Sequence, residues 1–318
     1  MAVLITGGSG FIGTMLTRDL VERGREVVIF DIQAPQIPVS HSALYQKGDI
    51  TNLPEVLNVV QQYKIDTIFH LAALLSVPSE MNPWASINVN ALGTYHILEA
   101  ARLFKVGQVL FTSSIAGYLN TADPDALITE ETAQRPNVIY GITKVFSELL
   151  GLYYHRKFGV DVRGVRVPVL IGPWVQTPGF GQYNSRMIES AIFGVPFEVN
   201  VPEDTISPLL YVKDTIRSIL MLSDAPKERI VTRVYNLGQI MPAPTAGDIA
   251  RAAEKYLPEA RITFNPDPEV TAIVKGGPRW VSGERAEREW GWRVLYSLDE
   301  LVKDFIVEVR TGMAEGKE

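Results

Sequence analysis

Residues 4–13 read LITGGSGFIG. Four glycines fall within this short stretch, directly behind an apolar run. Two spacings fit the same letters. Gly8, Gly10 and Gly13 give G-x-G-x-x-G, and Gly7, Gly10 and Gly13 give G-x-x-G-x-x-G. A β-rich run at 2–6 precedes the loop, and a helical period over 11–23 follows it and stops at Gly24. A glycine loop between a strand and a helix is the setting of a dinucleotide-binding fingerprint. Gly10 then falls where the backbone must approach a pyrophosphate, and Gly13 where the helix packs closely. Phe11 and Ile12 open the helix, whose unpaired N–H groups and positive dipole end favour phosphate. No Gly-Lys-Ser/Thr ending is present, so the loop is not built for a nucleoside triphosphate. The plain alternative is a glycine-rich turn without a ligand, and the flanking strand and helix weigh against it.

Asp31 ends the next strand-like run, about 18 positions after Gly13. The fingerprint places an acidic residue about 20 positions on, bonded to the adenosine ribose. A carboxylate there accepts two hydroxyls and repels a 2′-phosphate, which favours NAD over NADP. The plain alternative for Asp31 is an ordinary solvated loop aspartate. Asp49, followed by Ile50 in the stretch KGDI, stands after a third strand-like run and suits the adenine amino group.

Strand and helix signals alternate through the first half. Strand-like runs fall at 67–71, 108–112 and 161–167, and helical ones start at Asn52 with Pro54, span 82–104, and span 139–158. Such alternation predicts a doubly wound parallel sheet of Rossmann type, covered on both faces. After Val167 the rhythm changes to Pro, Gly and aromatic residues, with a helix at 185–193. A helix at 212–222 and a strand at 234–237 read as a return to the sheet. Thr245 with Asp248, and Ser297 with Glu300, have capping-box spacing for two later helices. The expected organisation is an NAD-binding domain over 1–167 plus about 211–240. The remainder, 168–210 plus 241–318, is expected to form a smaller C-terminal α/β substrate lobe.

The bulk properties exclude several classes. The chain has 318 residues, a net charge of −6, no cysteine and four histidines without metal-ligand spacing. No basic cluster offers a nucleic acid a phosphate-binding face. A cysteine nucleophile and thiolate metal sites are impossible. No apolar stretch is long enough for a membrane span, and the N-terminus lacks a signal-peptide pattern, so a cytoplasmic location is expected.

Tyr140 and Lys144 form Y-x-x-x-K near the start of a helix, one turn apart and on one face. An ammonium beside a phenol favours phenolate, and lowers the tyrosine from about 10 toward working pH. A tyrosine so placed suits proton transfer with an alcohol as hydride leaves. Ser113 and Ser114 end the strand at 108–112, at the carboxyl edge where open α/β sheets bind ligands.

In order along the chain stand TGGSGFIG, Asp31, GDI, HLAA at 70–73, NALGT at 90–94, SSIAGY, YGITK, YVKD at 211–214 and YNLG at 235–238. This series resembles the extended short-chain dehydrogenases/reductases, the NAD-dependent epimerases and dehydratases. The resemblance implies that Ser114 orients the substrate oxygen, Tyr140 is the acid/base, and Lys144 also bonds the nicotinamide ribose. It implies that Leu71, Ala72 and Ala73 line the cofactor groove and that the turn from Pro168 to Leu170 touches the nicotinamide. His70 reads as a core histidine and Asn90 as structural. In that family the helices around 88–104 and 140–158 pair between subunits, which implies a homodimer through a four-helix interface.

Within the family, Ile115 and Ala116 follow Ser114, where sugar dehydratases carry an acidic pair. Ser207 stands where nucleotide-sugar epimerases place a diphosphate-binding arginine, and Lys275 and Arg279 are the cations nearest to a second such position. The stretches at 73–83, 140–151, 158–163 and 288–292 are most similar to epimerase-like L-threonine 3-dehydrogenases. That likeness implies a substrate-binding role for Ser76. The segment PGFGQYNS at 178–185 departs from that group's Thr-Thr-Asp-like stretch, and so Gln182 and Tyr183 become candidates to meet the substrate. The resulting expectation is an NAD-dependent dehydrogenase of a small polar secondary alcohol. A nucleotide-sugar 4-epimerase and an inactive NAD-binding scaffold are the alternatives.

Overall fold

The computed structural model describes residues 2–35, 42–120, 123–175 and 179–315. Seven strands form one parallel sheet. They are β1 (Ala2–Thr6), β2 (Glu26–Asp31), β3 (Ala43–Lys47), β4 (Ile65–His70), β5 (Gln108–Ser114), β7 (Val162–Val167) and β11 (Val234–Asn236), in the spatial order β11-β7-β5-β4-β1-β2-β3. Every pairing in the sheet is parallel. A parallel sheet must be covered on both faces, and β1 shows how. Val3 and Ile5 pack with Leu16 and Leu20 of helix α1 (Phe11–Glu22) and with Ile216 and Ile219 of α8 (Val212–Asp224). Ala2 and Leu4 pack on the opposite side, with Val56 and Val59 of α2 (Leu53–Gln62) and Ile97 of α5 (Gly93–Phe104). The strand order reverses between β1 and β4, which opens a crevice beyond their carboxyl ends.

The helix expected over 82–104 is interrupted. A short helix α3 (Ser76–Met81) precedes it, and Asn82 caps the next, α4 (Pro83–Ser86), by accepting from the Ala85 amide at 3.1 Å. Ile87–Leu92 then winds as a π-turn before α5. Buried Asn90 sits within that turn, with its Oδ1 accepting from Leu74 N at 2.8 Å and its Nδ2 donating to Leu74 O at 3.0 Å. The extra residue per turn turns the amide toward the loop after β4, and π-bulges of this kind often mark functional positions.

After β7 the chain leaves the main sheet. Three two-stranded parallel pairs stand outside the main sheet: β8 (Val169–Ile171) with β10 (Leu209–Tyr211), β9 (Phe197–Val199) with β12 (Ile262–Phe264), and β6 (Leu127–Ile128), which precedes β7, with β13 (Trp280–Val281). The return at 212–237 is present as α8 and β11. Asp214, fully buried in the first turn of α8, fixes it to the late chain. Its Oδ2 accepts from Leu295 N at 3.0 Å and Tyr296 N at 3.1 Å. Helix α6 (Ile139–Phe158) lies against β5 and β7, and α7 (Tyr183–Ile192), α9 (Ala246–Tyr256) and α12 (Leu298–Glu315) pack together, with the short helices α10 (Pro268–Lys275) and α11 (Glu284–Trp290) between α9 and α12 in the chain. The expected capping box at Thr245 and Asp248 forms, and Ser297 and Glu300 exchange the same pair of bonds ahead of α12. Among the described residues no helix is long and apolar enough to cross a membrane.

Candidate active site

A cleft of about 740 Å³ runs along the carboxyl edge of the sheet at the strand-order reversal. One wall is the glycine loop. Gly7 has φ +70°, and a Cβ there would stand 2.7 Å from the Ala72 backbone. A Cβ on Gly13 would stand 2.3 Å from the Gly7 carbonyl, so this glycine closes α1 against the loop itself. Gly8 is constrained by packing on Ile29 and does not line the cleft, whereas Gly7, Gly10 and Gly13 do. Of the two spacings, Gly7, Gly10 and Gly13, the one that Ser114, Tyr140 and Lys144 select by resemblance, is the set that lines the cleft. At Gly10 a Cβ meets only the Gly7 carbonyl, at 3.2 Å, and otherwise points into open cleft. Bare backbone at a helix N-terminus facing a cavity is what a pyrophosphate requires.

Asp31 ends β2 at the rim, where its Oδ2 accepts from Ser9 N and its Oδ1 from Gln33 N, both at 3.1 Å. Asp49 accepts from Thr51 N at 2.8 Å, and buried Ile50 lies beside it. Leu71, Ala72, Ala73, Pro168 and Leu170 line the cleft with Phe11, Ile12, Asp31, Asp49 and Ile50. The group lines one cleft together with the glycine loop.

Ser114, Tyr140 and Lys144 converge on the same cleft. Ser114 is the last residue of β5, and its Oγ accepts from Ala116 N at 3.1 Å. Tyr140 and Lys144 lie on the first turns of α6. What brings α6 so close is Gly141, where a Cβ would fall 2.4 Å from the Ala116 carbonyl. Residue spacing alone does not single out that glycine; its place beside Tyr140 in YGITK is the signal that the sequence carries. Lys144 Nζ donates to the Thr112 carbonyl at 2.8 Å and lies 5.5 Å from the centre of the Tyr140 ring.

The proton affinities differ from the expectation. Burial pushes the Tyr140 phenol up to about 12, with a hydrogen bond from Ser114 pulling the other way. Burial also draws Lys144 down to about 8, opposed by the negative charge of Glu148. The lysine stands off the phenol and is held by a backbone carbonyl, so exclusion of water outweighs its field at the tyrosine. His70 is buried between Thr6 and Thr94, with Nδ1 2.7 Å from Thr6 Oγ1 and Nε2 3.0 Å from Thr94 Oγ1. Burial holds it neutral, down at about 3.

The far end of the cleft is lined by Ser76, Gln182, Ser207, Ile206 and, from the late chain, Ile273 and Val274. The structure corrects one candidate. Tyr183 does not line the cleft: it is buried, with its hydroxyl 2.9 Å from Ser207 Oγ, because it begins α7 on the face that packs inward. Pro178 lies outside the described residues. Lys275 and Arg279 do not line the cleft either, and Arg279 forms an ion pair with Asp125. Among the described cleft-lining residues, Arg18, Lys144, Asp31 and Asp49 carry the formal charges.

The family model described as "NAD dependent epimerase/dehydratase family" matches residues 3–238. The chain is 34% identical to the mitochondrial L-threonine 3-dehydrogenase of Bos taurus over 304 residues, which cover 94% of this chain and 80% of that one. It is 33% identical over 307 residues to an uncharacterized epimerase/dehydratase of Staphylococcus haemolyticus, with 93% of each chain covered. The crystal structure of L-threonine dehydrogenase from Clostridium difficile superposes with a TM-score of 0.90 at 32% identity and covers 98% of both chains.

Proposed function

The chain belongs to the NAD-dependent epimerase/dehydratase family, and on that premise we propose that it is an NAD-dependent dehydrogenase, similar to L-threonine 3-dehydrogenases, that oxidises the secondary alcohol of a small polar substrate. The observation that carries this reading is the convergence of Ser114, Tyr140 and Lys144 on one cleft beside the glycine loop. The cofactor fits what is present. Gly7, Gly10 and Gly13 leave a cradle that side chains would fill, and Asp31 offers a carboxylate at the rim for ribose hydroxyls. Phe11, Ile12, Asp49, Ile50, Leu71, Ala72, Ala73, Pro168 and Leu170 would complete the groove. NAD, when bound, supplies the hydride acceptor.

The chain's own residues supply the rest. Ser114 Oγ, already placed by Ala116 N, holds the carbinol oxygen. Tyr140 takes the carbinol proton as general base. Lys144 contributes positive charge on the same helix face, which favours the phenolate. The Thr112 carbonyl fixes the direction of that ammonium. Ser76 and Gln182 meet the remainder of the substrate.

The neutral far end favours this reading over a nucleotide-sugar epimerase. Ser207 is paired with Tyr183 where a diphosphate would need an arginine, and Lys275 and Arg279 lie off the cleft. An intact acid/base set argues against a silent scaffold. We read 1–167 plus about 211–240 as the NAD-binding part and the remainder as the substrate lobe. We also propose a homodimer through α5 and α6. The test of the function is net NADH formation with a panel of small secondary alcohols. A dehydrogenase releases NADH, and Tyr140→Phe abolishes it while NAD binding persists. Interconversion of nucleotide sugars without net NADH would establish the epimerase instead.

A further inference from the structure

Gln182 closes the turn before α7. Its backbone is fully used: its N–H donates to the Gly179 carbonyl at 3.1 Å, and its carbonyl accepts from Arg186 N at 3.1 Å. Its side chain is not. Among the described cleft-lining residues, Gln182 Oε1 is the buried side-chain atom that lacks a hydrogen-bond partner. Buried polar atoms in folded proteins are almost always paired, so an orphan at a cleft wall calls for a ligand. The neighbouring polar groups are already engaged. Ser207 holds the Tyr183 hydroxyl, Lys144 holds the Thr112 carbonyl, and Ser113 donates to Glu148. Gly179 gives the amide its place, since a Cβ there would come within 3.3 Å of Gln182 Nε2.

Resting on the dehydrogenase reading, we propose that Gln182 determines specificity: its buried amide oxygen accepts a hydrogen bond from a donor group that the substrate carries besides the reacting hydroxyl. An acceptor selects against a bare carboxylate or phosphate, which at neutral pH offers it no proton. It selects for an ammonium or a second hydroxyl. A site built around such a bond rejects analogues that lack the donor, because the protein group is then left unpaired.

Three probes distinguish the sources: L-threonine carries an ammonium, butane-2,3-diol a second hydroxyl, and butan-2-ol neither. The NAD-saturated wild type and Gln182→Met are compared for kcat/KM with each, and NAD affinity is read separately by quenching of intrinsic fluorescence. The wild type is expected to favour one donor-bearing probe over butan-2-ol. Gln182→Met should lower kcat/KM for that probe about 10- to 100-fold and raise it for butan-2-ol, which no longer leaves a buried acceptor unpaired, so that the preference for the donor-bearing probe collapses while NAD affinity holds. The probe that suffers identifies the donor. Equal rates in wild type and Gln182→Met, or a wild type indifferent to the donor, overturn the inference and spare the dehydrogenase reading. A wild type that yields NADH from none of the probes removes that reading and the inference together.

Discussion

Glu148 and Arg166 meet in the interior, with Arg166 Nη2 2.7 Å from Glu148 Oε2 and Nε 3.0 Å from both carboxylate oxygens. The pair lies one helical turn beyond Lys144. Ser113, next to Ser114, donates to the same carboxylate, and Arg166 Nη1 donates to the Tyr118 hydroxyl at 2.8 Å. This network ties the carboxyl end of β5 to α6, and so ties Ser114 to the helix that carries Tyr140. Removing one member leaves a buried charge without its partner, which costs about 3–5 kcal/mol. Glu148→Gln is therefore expected to lose about that much in urea unfolding. Glu148→Leu combined with Arg166→Met should recover much of it, since replacing both charges by apolar groups is often neutral. A loss below about 1 kcal/mol in the single variant would show that the pair braces nothing.

The proton affinities of Tyr140 and Lys144 set a pH profile. Lys144 sits at about 8 and Tyr140 at about 12, so the first proton lost belongs to the pair and leaves near pH 8. The working form, phenolate with ammonium, is a fixed fraction of that singly deprotonated state. The expected kcat/KM rises tenfold per pH unit below about 8 and levels off above it. In Lys144→Met the plateau should shift upward toward the tyrosine's own value near 12. Stopped-flow hydride transfer across pH 6–10 checks this. A profile in Lys144→Met with the wild-type inflection would separate the lysine from the titration.

The cofactor end of this cleft was legible in the letters, and the substrate end was not, for a physical reason. Gly7, Gly10, Gly13 and Asp31 are constrained by backbone geometry over short spans, so residue type and spacing carry their roles. Ser114, Tyr140 and Lys144 share that property, since a strand end and a helix start place them. The loop's own letters fit both glycine spacings, since Gly8 is also tightly held, by Ile29, and it is Ser114, Tyr140 and Lys144 further along the chain that select Gly7, Gly10 and Gly13. Tyr183 lies off the cleft lining because its orientation depends on how α7 packs against α9 and α12, contacts far apart in sequence. The walls at Ile206 and at Ile273 and Val274 are likewise assembled from distant segments. The proton affinities also needed the fold, because they follow from the exclusion of water around the phenol and the ammonium.

Asp31 is expected to decide between NAD and NADP. Its carboxylate now accepts from Ser9 N and Gln33 N and faces the cleft. Hydrogen bonds to a charged acceptor are worth about 1.5–3 kcal/mol. Asp31→Ala should then raise the Kd for NAD about 10- to 100-fold. The Kd for NADP should change little or fall, because a repelling charge has gone. Fluorescence titration with both cofactors gives the ratio. A ratio unchanged by the substitution would assign the choice to another group.

The face of α6 opposite Lys144 predicts the assembly. Ile142, Phe146, Leu149 and Tyr153 recur at helical spacing along it and are exposed, Leu149 by 63%. The adjoining α5 adds Tyr95 and Leu103, and the π-turn before it adds Leu92, all exposed, and α5 packs beside α6. Contiguous apolar surface of this kind is unusual on a monomer and marks an interface. Two copies related by a two-fold axis would cover it with the same surface, four helices in all. Leu149→Glu places a carboxylate at the centre of that contact without touching the buried face that carries Thr143, Lys144 and Glu148. Sedimentation velocity should show a dimer for the wild type and a monomer for Leu149→Glu at micromolar concentration. A wild-type monomer, or a variant that remains dimeric, would leave this face without the partner proposed for it.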